Sequence, residues 1–281
     1  MGANIKAIRA RIKSVDSTKH ITKAMQLVAS SKIRRASAKM EQSRFYRKVL
    51  LEAFADLAAE NSPYSVQRSA TLPAVYIIIA GDRGLAGGYN NNIFRSAMTM
   101  LRENDLVLPI GKRAVEYYKS HGNVITDEFM SCEGFSAEDS AKAAYLIRDM
   151  YDREEISSVS IISTKFVSML SQDPALTRLL PLAKEMNQNE EKTDHVQSAL
   201  VEYEPSAEEV LAAVIPEYIS GAVYTSVTEA FASELAARRS AMDTATKNAD
   251  AMLEDLSLKY NRARQGAITQ EITEIVAGAN A

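Results

Sequence analysis

The chain has 281 residues, of which 46% are hydrophobic, and its 33 Lys and Arg nearly balance 36 Asp and Glu. This ordinary soluble composition allows a sizeable core in one large domain or two. The charged start of the chain excludes a secretory signal, and we expect no run of about 18 uncharged apolar residues long enough to span a membrane. A single cysteine, Cys132, excludes an internal disulfide and any C-x-x-C motif, and we interpret it as a small buried hydrophobe.

The first 48 residues are strongly basic. They hold 13 Lys or Arg against only Asp16 and Glu41. Such a run can bind nucleic acid or anionic lipid, but no aromatic residue precedes Phe45 on which bases could stack. We therefore interpret it as a solvated helix face that meets an acidic protein partner, and expect no nucleic acid. A nucleic-acid adaptor remains the alternative, and steeply salt-dependent DNA or RNA binding would reveal it.

Both ends of the chain are predicted to be long helices. All seven prolines lie between Pro63 and Pro216, and Gly2 is the sole glycine among the first 62 residues. The division predicted is an N-terminal coiled-coil helix over 1–62, an α/β (Rossmann-like) domain over 63–205 and a C-terminal coiled-coil helix over 206–281. The apolar set of the first helix is Ile5, Ile8, Ile12, Val15, Ile21, Met25, Val28, Ile33, Phe54 and Leu57.

Between the helices, the signals alternate as in an α/β domain. Strands are predicted in "AVYIIIAGDRG", "LVLPIG", "NVITDEFM" and "SVSIISTKFV". Helices are predicted over 91–102, over "KRAVEYYKSHG" up to Gly122, and after a Ser136 cap. The stretch 170–204 is expected to add an edge hairpin. This order predicts a mostly parallel or mixed sheet with helices on its faces.

The glycine-rich "AGDRGLAGGYNNN" lies after a strand and before a helix, where many α/β proteins bind phosphate. It matches neither the Walker A loop nor G-x-G-x-x-G, and Asp82 would repel a phosphate. We interpret it as a tight turn held by Asp82 and Arg83. A nucleotide-binding enzyme remains the alternative, and saturable ATP binding by the isolated chain would favour it.

No other segment predicts chemistry. His20, His121 and His195 stand on separate elements without metal-ligand spacing, and no G-x-S-x-G occurs. We therefore expect no metal, no cofactor and no catalytic residue.

The second helix is predicted to start with a capping box of Ser206 and Glu209, and Pro216 is expected to kink or restart it. Its apolar stripe is Val223, Val227, Phe231, Leu235, Met242, Met252, Leu256 and Tyr260. Two such helices most simply pair in antiparallel fashion, and their unequal lengths leave part of the second without a partner in the chain.

The chain ends in "QGAITQEITEIVAGANA". Ile268, Ile272 and Ile275 recur at helical spacing, Val276 widens the stripe, and no charged side chain follows Glu274. A surface helix more often ends in a cationic turn. The pattern therefore predicts an end that a partner surrounds.

Three stretches together resemble one known family. "IKAIRARIKSVDSTKHITKAMQLVASSKIRRA", "GDRGLAGGYN" and "YNRARQGAITQEITEIVAGANA" are similar to the gamma subunit of bacterial F-type ATP synthases. The last of them carries that family's signature at Ile268, Thr269, Glu271, Glu274, Gly278 and Ala279. The resemblance implies a rotor shaft without catalysis of its own, which couples proton- or sodium-driven rotation of the c ring to ATP synthesis or hydrolysis in the alpha and beta hexamer.

The resemblance also implies partners and contact residues. Arg264 and Gln265 match the positions that meet a catch loop of a beta subunit, with Thr269 and Glu271 nearby, and Ile268, Ile272 and Ile275 would turn in a hydrophobic collar. Lys23 and Met25 match the neck of the shaft, and Arg238 a facing position on the second helix. Three alpha and three beta subunits, epsilon and the polar loops of the c ring are the implied partners. The implied location is the cytoplasmic face of the bacterial plasma membrane, with membrane association only through the complex.

Overall fold

The computed structural model describes residues 2–55, 62–169, 171–182 and 203–279. An α/β domain lies in the chain between two long terminal helices, as predicted. The elements are α1 (Gly2–Ala55), β1 (Ala74–Ile79), α2 (Tyr89–Met98), β2 (Leu106–Ile110), α3 (Lys112–His121), β3 (Asn123–Val124), α4 (Ala137–Asp152), β4 (Ser158–Phe166), β5 (Gln172–Leu180) and α5 (Ala207–Ala279).

The chain forms two compact units. The helical unit joins Met1–Ser31 with Arg238–Ala281, and the sheet unit comprises Lys32–Ala237. The predicted domain boundaries at 62 and 205 were drawn from the expected ends of the two helices, and they stay a prediction. Leu57, His195 and the side chain of Phe54 lie outside the described residues.

In the sheet unit, the strands are ordered β3-β2-β1-β4-β5. β1 pairs in parallel with β2 and β4, β2 pairs in parallel with β3, and β5 is antiparallel to β4 at the edge. One face packs on α4 and the first part of α5, and the other on α2 and α3. Because both faces are covered, the central strands are runs of β-branched residues, and Ile77, Ile78 and Ile161 are fully buried.

The predicted elements of the domain differ from the structure mainly at their ends. The helix expected over 91–102 starts at Tyr89 and stops at Met98, and the strand expected over "NVITDEFM" is only Asn123–Val124. Gly122 does close α3. Ser136 caps α4 in a full capping box, since its side chain accepts from the Asp139 N–H and the Asp139 carboxylate accepts from the Ser136 N–H.

The two long helices also pair within the sheet unit. Ile33, Ala36 and Met40 of α1 form one apolar cluster with residues of α5 between Ala232 and Ala236. Beyond it, the hydroxyls of Ser43 and Thr228 are 2.7 Å apart.

In the helical unit, three polar pairs join α1 and α5. The hydroxyls of Thr22 and Thr246 are 2.8 Å apart, and the Gln26 amide donates to the Asp243 carboxylate at 2.8 Å. The Lys19 ammonium lies 2.6 Å from the Asp250 carboxylate. The residue numbers of each pair add up to 268 or 269, so the helices run antiparallel, as predicted.

The seam of the helical unit corrects the predicted apolar stripe. Ile21, Val28 and Met252 are exposed by 60%, 57% and 54%. The less exposed positions of α1 follow steps of three and four through polar residues, and are Ile5, Ile8, Ile12, Val15, Lys19, Thr22, Gln26 and Ala29. Those of α5 are Met242, Thr246, Ala249, Leu253, Leu256, Tyr260, Ala263 and Ala267. The pairing of the two helices therefore follows the heptad spacing and not the hydrophobicity of the side chains, because the facing helix contacts every position at that spacing.

The Thr22 and Thr246 pair gives a test of this seam. Thr22→Val or Thr246→Val alone is expected to cost about 0.5–1 kcal/mol of unfolding free energy, because the remaining hydroxyl loses its contact across the seam and keeps only its bond to a carbonyl oxygen of its own helix, while the double variant is nearly neutral. Urea unfolding of the four chains measures the coupling. Additive losses in the double variant would show that the two hydroxyls do not interact.

α5 starts at Ala207, as predicted, and the Ser206 hydroxyl accepts from the Glu209 N–H at 3.2 Å, which is one of the two bonds of the expected capping box. It runs as one helix past Pro216, so the expected restart is wrong.

An 18-residue window of α5 has a mean hydropathy of 1.4, enough by length and composition for a membrane span, which corrects the expectation that no stretch comes close. Since 61% of that window is buried inside the protein, it also fits a core helix, and the hydropathy is weak support for a span.

Candidate partner-binding site

The last turns of α5 form the candidate site, which we call the tip (residues 264–279). Ile268, Ile272, Ile275 and Val276 are exposed by 48%, 56%, 71% and 53%. Exposing several isoleucines on one side of a helix to water is unfavourable in free energy, and contiguous apolar patches of this kind mark contact sites. This apolar face of the tip is therefore left uncovered by the residues that the structure describes.

The register of the helical unit explains this exposure. With paired residue numbers adding up to 268 or 269, the first described residue of α1, Gly2, comes level with about residue 267 of α5. The tip beyond Ala267 therefore extends past the described start of α1. This agrees with the prediction that part of the second helix has no partner in the chain.

The isoleucines of the tip do not continue the seam. The seam positions that would follow Ala267 are Gln270 and Glu274, whose side chains bond each other at 2.8 Å. Ile268 is rotated from Ala267 by about 100°, and Ile272 and Ile275 share its side of the helix. The isoleucine face is therefore separate from the surface that pairs with α1.

Two polar residues expected at the site adjoin this face. Arg264 is exposed and precedes Ile268 by four residues, so both lie on one side of the helix. Glu271, also exposed, follows Arg264 by seven residues on that side. A charged pair therefore borders the isoleucine face.

The other two expected polar residues lie at the edge of the face. Gln265 is exposed and precedes Ile272 by seven residues. The Thr269 hydroxyl donates to the Gln265 carbonyl oxygen at 2.9 Å, so its own side chain stays close to the helix. The structure thus gathers the predicted tip residues on one helix end, and their contacts with a beta subunit remain a prediction.

The expected neck residues are not brought together in the same way. Lys23 is exposed, Met25 is half-buried and Arg238 is 8% exposed. In the register of the helical unit, Arg238 comes level with about residue 31. That level is six to eight residues beyond Lys23 and Met25, and a shared role of the three residues at the neck stays a prediction.

The glycine-rich loop after β1 holds a side chain that the sequence analysis missed. The carboxylate of Glu234, 1% exposed, accepts from the backbone N–H groups of Asp82 at 3.3 Å and Arg83 at 3.2 Å. These are the groups a phosphate would need. The expected tight turn is thus held by the side chains of Glu234 and Asn90, and not by Asp82 and Arg83 as we expected. The signal for Glu234 was an acidic residue inside an otherwise small and apolar stretch of helix.

Asp82 also has a structural role, which is to bond the backbone of the loop around Cys132. Its carboxylate accepts from the N–H groups of Cys132 at 2.7 Å and Glu133 at 3.0 Å. Burial, followed by the nearby Asp82 carboxylate, raises the pKa of the Cys132 thiol well above its usual value. The thiol donates to the Ala80 carbonyl oxygen, so Cys132 is a packed and unreactive group.

A metal centre finds no support in the part of the chain that the structure describes. No group of three His, Cys, Asp or Glu side chains there is close enough to hold an ion.

Comparisons with known proteins match this arrangement over the full length. A family model described as ATP synthase matches residues 4–281. The ATP synthase gamma chain of Alkaliphilus metalliredigens is 39% identical and covers 100% of this chain and 99% of the relative, and that of Ruminococcus albus is 40% identical over 97% and 96%. A relative from Acetobacterium woodii, named as sodium ion specific, is 36% identical over 100% and 99%.

Solved structures show the same fold. A chain of the Euglena gracilis mitochondrial ATP synthase, from a structure of its OSCP, F1 and c-ring parts, has a TM-score of 0.70 at 19% identity, with 100% of this chain and 95% of that chain covered. A chain of the rotor from the same organism has a TM-score of 0.66 at 18% identity, with 95% and 100% covered. With relatives near 40% identity over their whole length and a family model that spans all but the first three residues, the chain belongs to the ATP synthase gamma chain family.

Proposed function

We propose that the chain is the central rotor shaft of an ATP synthase and has no catalytic site of its own. Its α/β domain turns with a membrane ring of c subunits, and the tip turns inside a hexamer of three alpha and three beta subunits. Rotation biases the beta subunits through states of different nucleotide affinity, which is coupling by population shift. Epsilon and the polar loops of the ring are the proposed partners of the α/β domain.

The isoleucine face of the tip is the observation that carries this proposal. It is exposed, separate from the seam and followed by no charged side chain after Glu274. Such an end fits an apolar collar, where it can turn without breaking specific hydrogen bonds at each step. The proposed location is the cytoplasmic face of a bacterial plasma membrane, reached through the complex, and the driving ion is proton or sodium.

We propose no catalysis because a side chain of the same protein occupies the glycine-rich loop after β1, where an enzyme of this fold would bind phosphate. The Glu234 carboxylate bonds to the loop N–H groups, and a bound nucleotide phosphate would have to displace it. Saturable binding of ATP to the isolated full-length chain would contradict this part of the proposal.

Co-purification and single-molecule rotation test the shaft. The chain is expressed with the alpha and beta subunits of its own organism, and a bead is attached to the α/β domain. The expected result is a complex with one copy of this chain whose bead turns stepwise in one direction during ATP hydrolysis. A stable complex whose bead does not turn would contradict the proposal, as would failure to form a complex.

Replacing Arg264 and Gln265 with Ala is expected to slow ATP-driven rotation. Arg presents a planar fork that can bind a carboxylate with two hydrogen bonds, and a charge-assisted contact of this kind contributes about 1.5–3 kcal/mol, or roughly 10- to 100-fold in the step that uses it. Lys259→Ala is the control, because Lys259 is also an exposed cation but lies on the opposite side of the helix from both residues. Equal rates for the double variant, the control and the wild type would remove Arg264 and Gln265 from the contact.

A further inference from the structure

The loop after β1 lies where doubly wound sheets bind ligands, at the carboxyl ends of parallel strands. Two consecutive N–H groups, those of Asp82 and Arg83, point to one place there, and such backbone nests bind anions. The anion present is the Glu234 carboxylate, with one oxygen on each N–H. Helix α5 therefore supplies the carboxylate group that a bound anion would otherwise supply.

The fit between the loop and this side chain is close. A Cβ atom added to Gly81 would lie 2.7 Å from Cδ of Glu234 and 2.9 Å from its Oε1. The Gly81 N–H donates to the Asn90 side-chain oxygen at 2.8 Å, and the Asn90 amide donates back to the Arg83 carbonyl oxygen. The loop is thus held in a shape that has room for the carboxylate because residue 81 has no side chain.

Two neighbouring contacts tie the same layer of loops to both long helices. The Tyr89 hydroxyl, at the start of α2, donates to the Ala230 carbonyl oxygen of α5 at 2.8 Å. The Lys32 ammonium of α1 lies 2.5 Å from the carboxylate of Glu133, whose N–H bonds Asp82. Glu234 is the buried charged residue of this set, and its carboxylate reaches the backbone at the sheet edge.

We propose that Glu234 is a built-in anionic ligand, whose carboxylate occupies the anion site of the 82–83 backbone and thereby joins α5 to the α/β sheet. In the rotor shaft this joint transmits torque between the sheet and α5. The mechanical part rests on the proposed function, whereas the anion site is a property of the chain alone.

Acetate rescue tests the anion site in the isolated full-length chain. Glu234→Ala leaves the partly buried N–H groups of Asp82 and Arg83 without this acceptor, which is expected to lower the Tm by about 2–4 °C. Acetate has the atoms that this substitution removes, so it should raise the Tm of the variant saturably toward the wild-type value, as expected for a ligand of the folded state. Sodium chloride at equal ionic strength serves as the salt control.

Glu217→Ala is the matched control for this experiment. Glu217 is an exposed glutamate on the same helix, and its loss creates no buried site. Acetate should raise the Tm of this variant no more than that of the wild type. An equal rise in all three chains would overturn the anion site.

A second pair of variants tests the same contact without acetate. Gly81→Ala is expected to lower the Tm because its Cβ displaces the Glu234 carboxylate. In the Glu234→Ala background the three atoms nearest to that Cβ, all of them in the Glu234 side chain, are absent, so the same change should cost much less. Additive losses in the double variant would contradict the proposed fit.

The mechanical part is tested in the assembled complex with the bead on the α/β domain. Glu234→Ala is expected to reduce the stall torque of each rotating complex, and acetate to restore it, whereas a loss of folding alone would reduce the yield of complexes. Unchanged torque together with acetate rescue in the isolated chain would overturn the mechanical part. If the wild-type complex itself does not rotate, the shaft proposal fails, while the anion site is still decided by the isolated chain.

Discussion

Replacing Ile268, Ile272 and Ile275 together with Ser is expected to leave the isolated chain as stable as the wild type but to disrupt its assembly with the alpha and beta subunits. The three side chains are exposed by 48%, 56% and 71%, so their loss removes little burial within the chain. Isoleucine and serine have similar helix propensities, so α5 should stay helical. Any large effect must therefore come from a partner.

The size of the effect follows from the apolar area that a collar would cover. Burying each exposed isoleucine contributes about 1–2 kcal/mol, so the triple variant loses roughly 3–6 kcal/mol, or about 10²- to 10⁴-fold in affinity. Pull-down of the hexamer over a range of concentrations measures the affinity, and thermal unfolding of the free chain checks its stability.

The opposite face of the tip offers a matched control. Gln270→Ala with Thr273→Ala changes two exposed positions at the same depth of the helix but spares the isoleucine face. This control should assemble normally. If both variants assemble as well as the wild type, the tip is not the contact, and if both fail equally, the isoleucine face has no special role.

Gly111→Ala is expected to cost about 4 kcal/mol or more of unfolding free energy and to prevent the α/β domain from folding normally. Gly111 lies between β2 and α3 with φ of +92° and ψ of 145°, a region that is nearly exclusive to glycine. A Cβ atom there would lie 2.1 Å from the Ala80 carbonyl oxygen and 2.9 Å from the Cys132 sulfur. The backbone strain and the clash add up, and the buried backbone of Ala80, directly after β1, cannot move aside cheaply.

Gly88→Ala is the control for this prediction. Gly88 has φ of -83°, and a Cβ atom there would make ordinary contacts of 3.5 Å or more with the Asn92 side chain. Its substitution should change the unfolding free energy by less than about 1 kcal/mol. Urea unfolding followed by circular dichroism compares the two variants, and equal stability would refute the steric account of Gly111.

The location of the candidate site could be predicted largely from sequence, and its geometry could not. The neutral, apolar end was visible in the residues, and the resemblance to a family indicated Arg264 and Gln265. Sequence could not tell whether Ile268 continues the seam, because hydrophobicity alone does not separate a stripe that faces α1 from one that faces another protein. The register of α1 against α5 in the structure makes that distinction, because it shows which side of α5 faces α1.

Most elements of this protein could be predicted from local sequence patterns, although not their ends. Long segments free of proline, and nearly free of glycine before Pro63, specify the terminal helices, and short β-branched runs specify the buried strands, because both signals act through local backbone geometry and burial. Which residues contact each other depends on the fold. The pairs Gln26 with Asp243 and Arg83 with Glu234 are separated by 217 and 151 residues, and a polar side chain reveals nothing of so distant a partner until the fold places it.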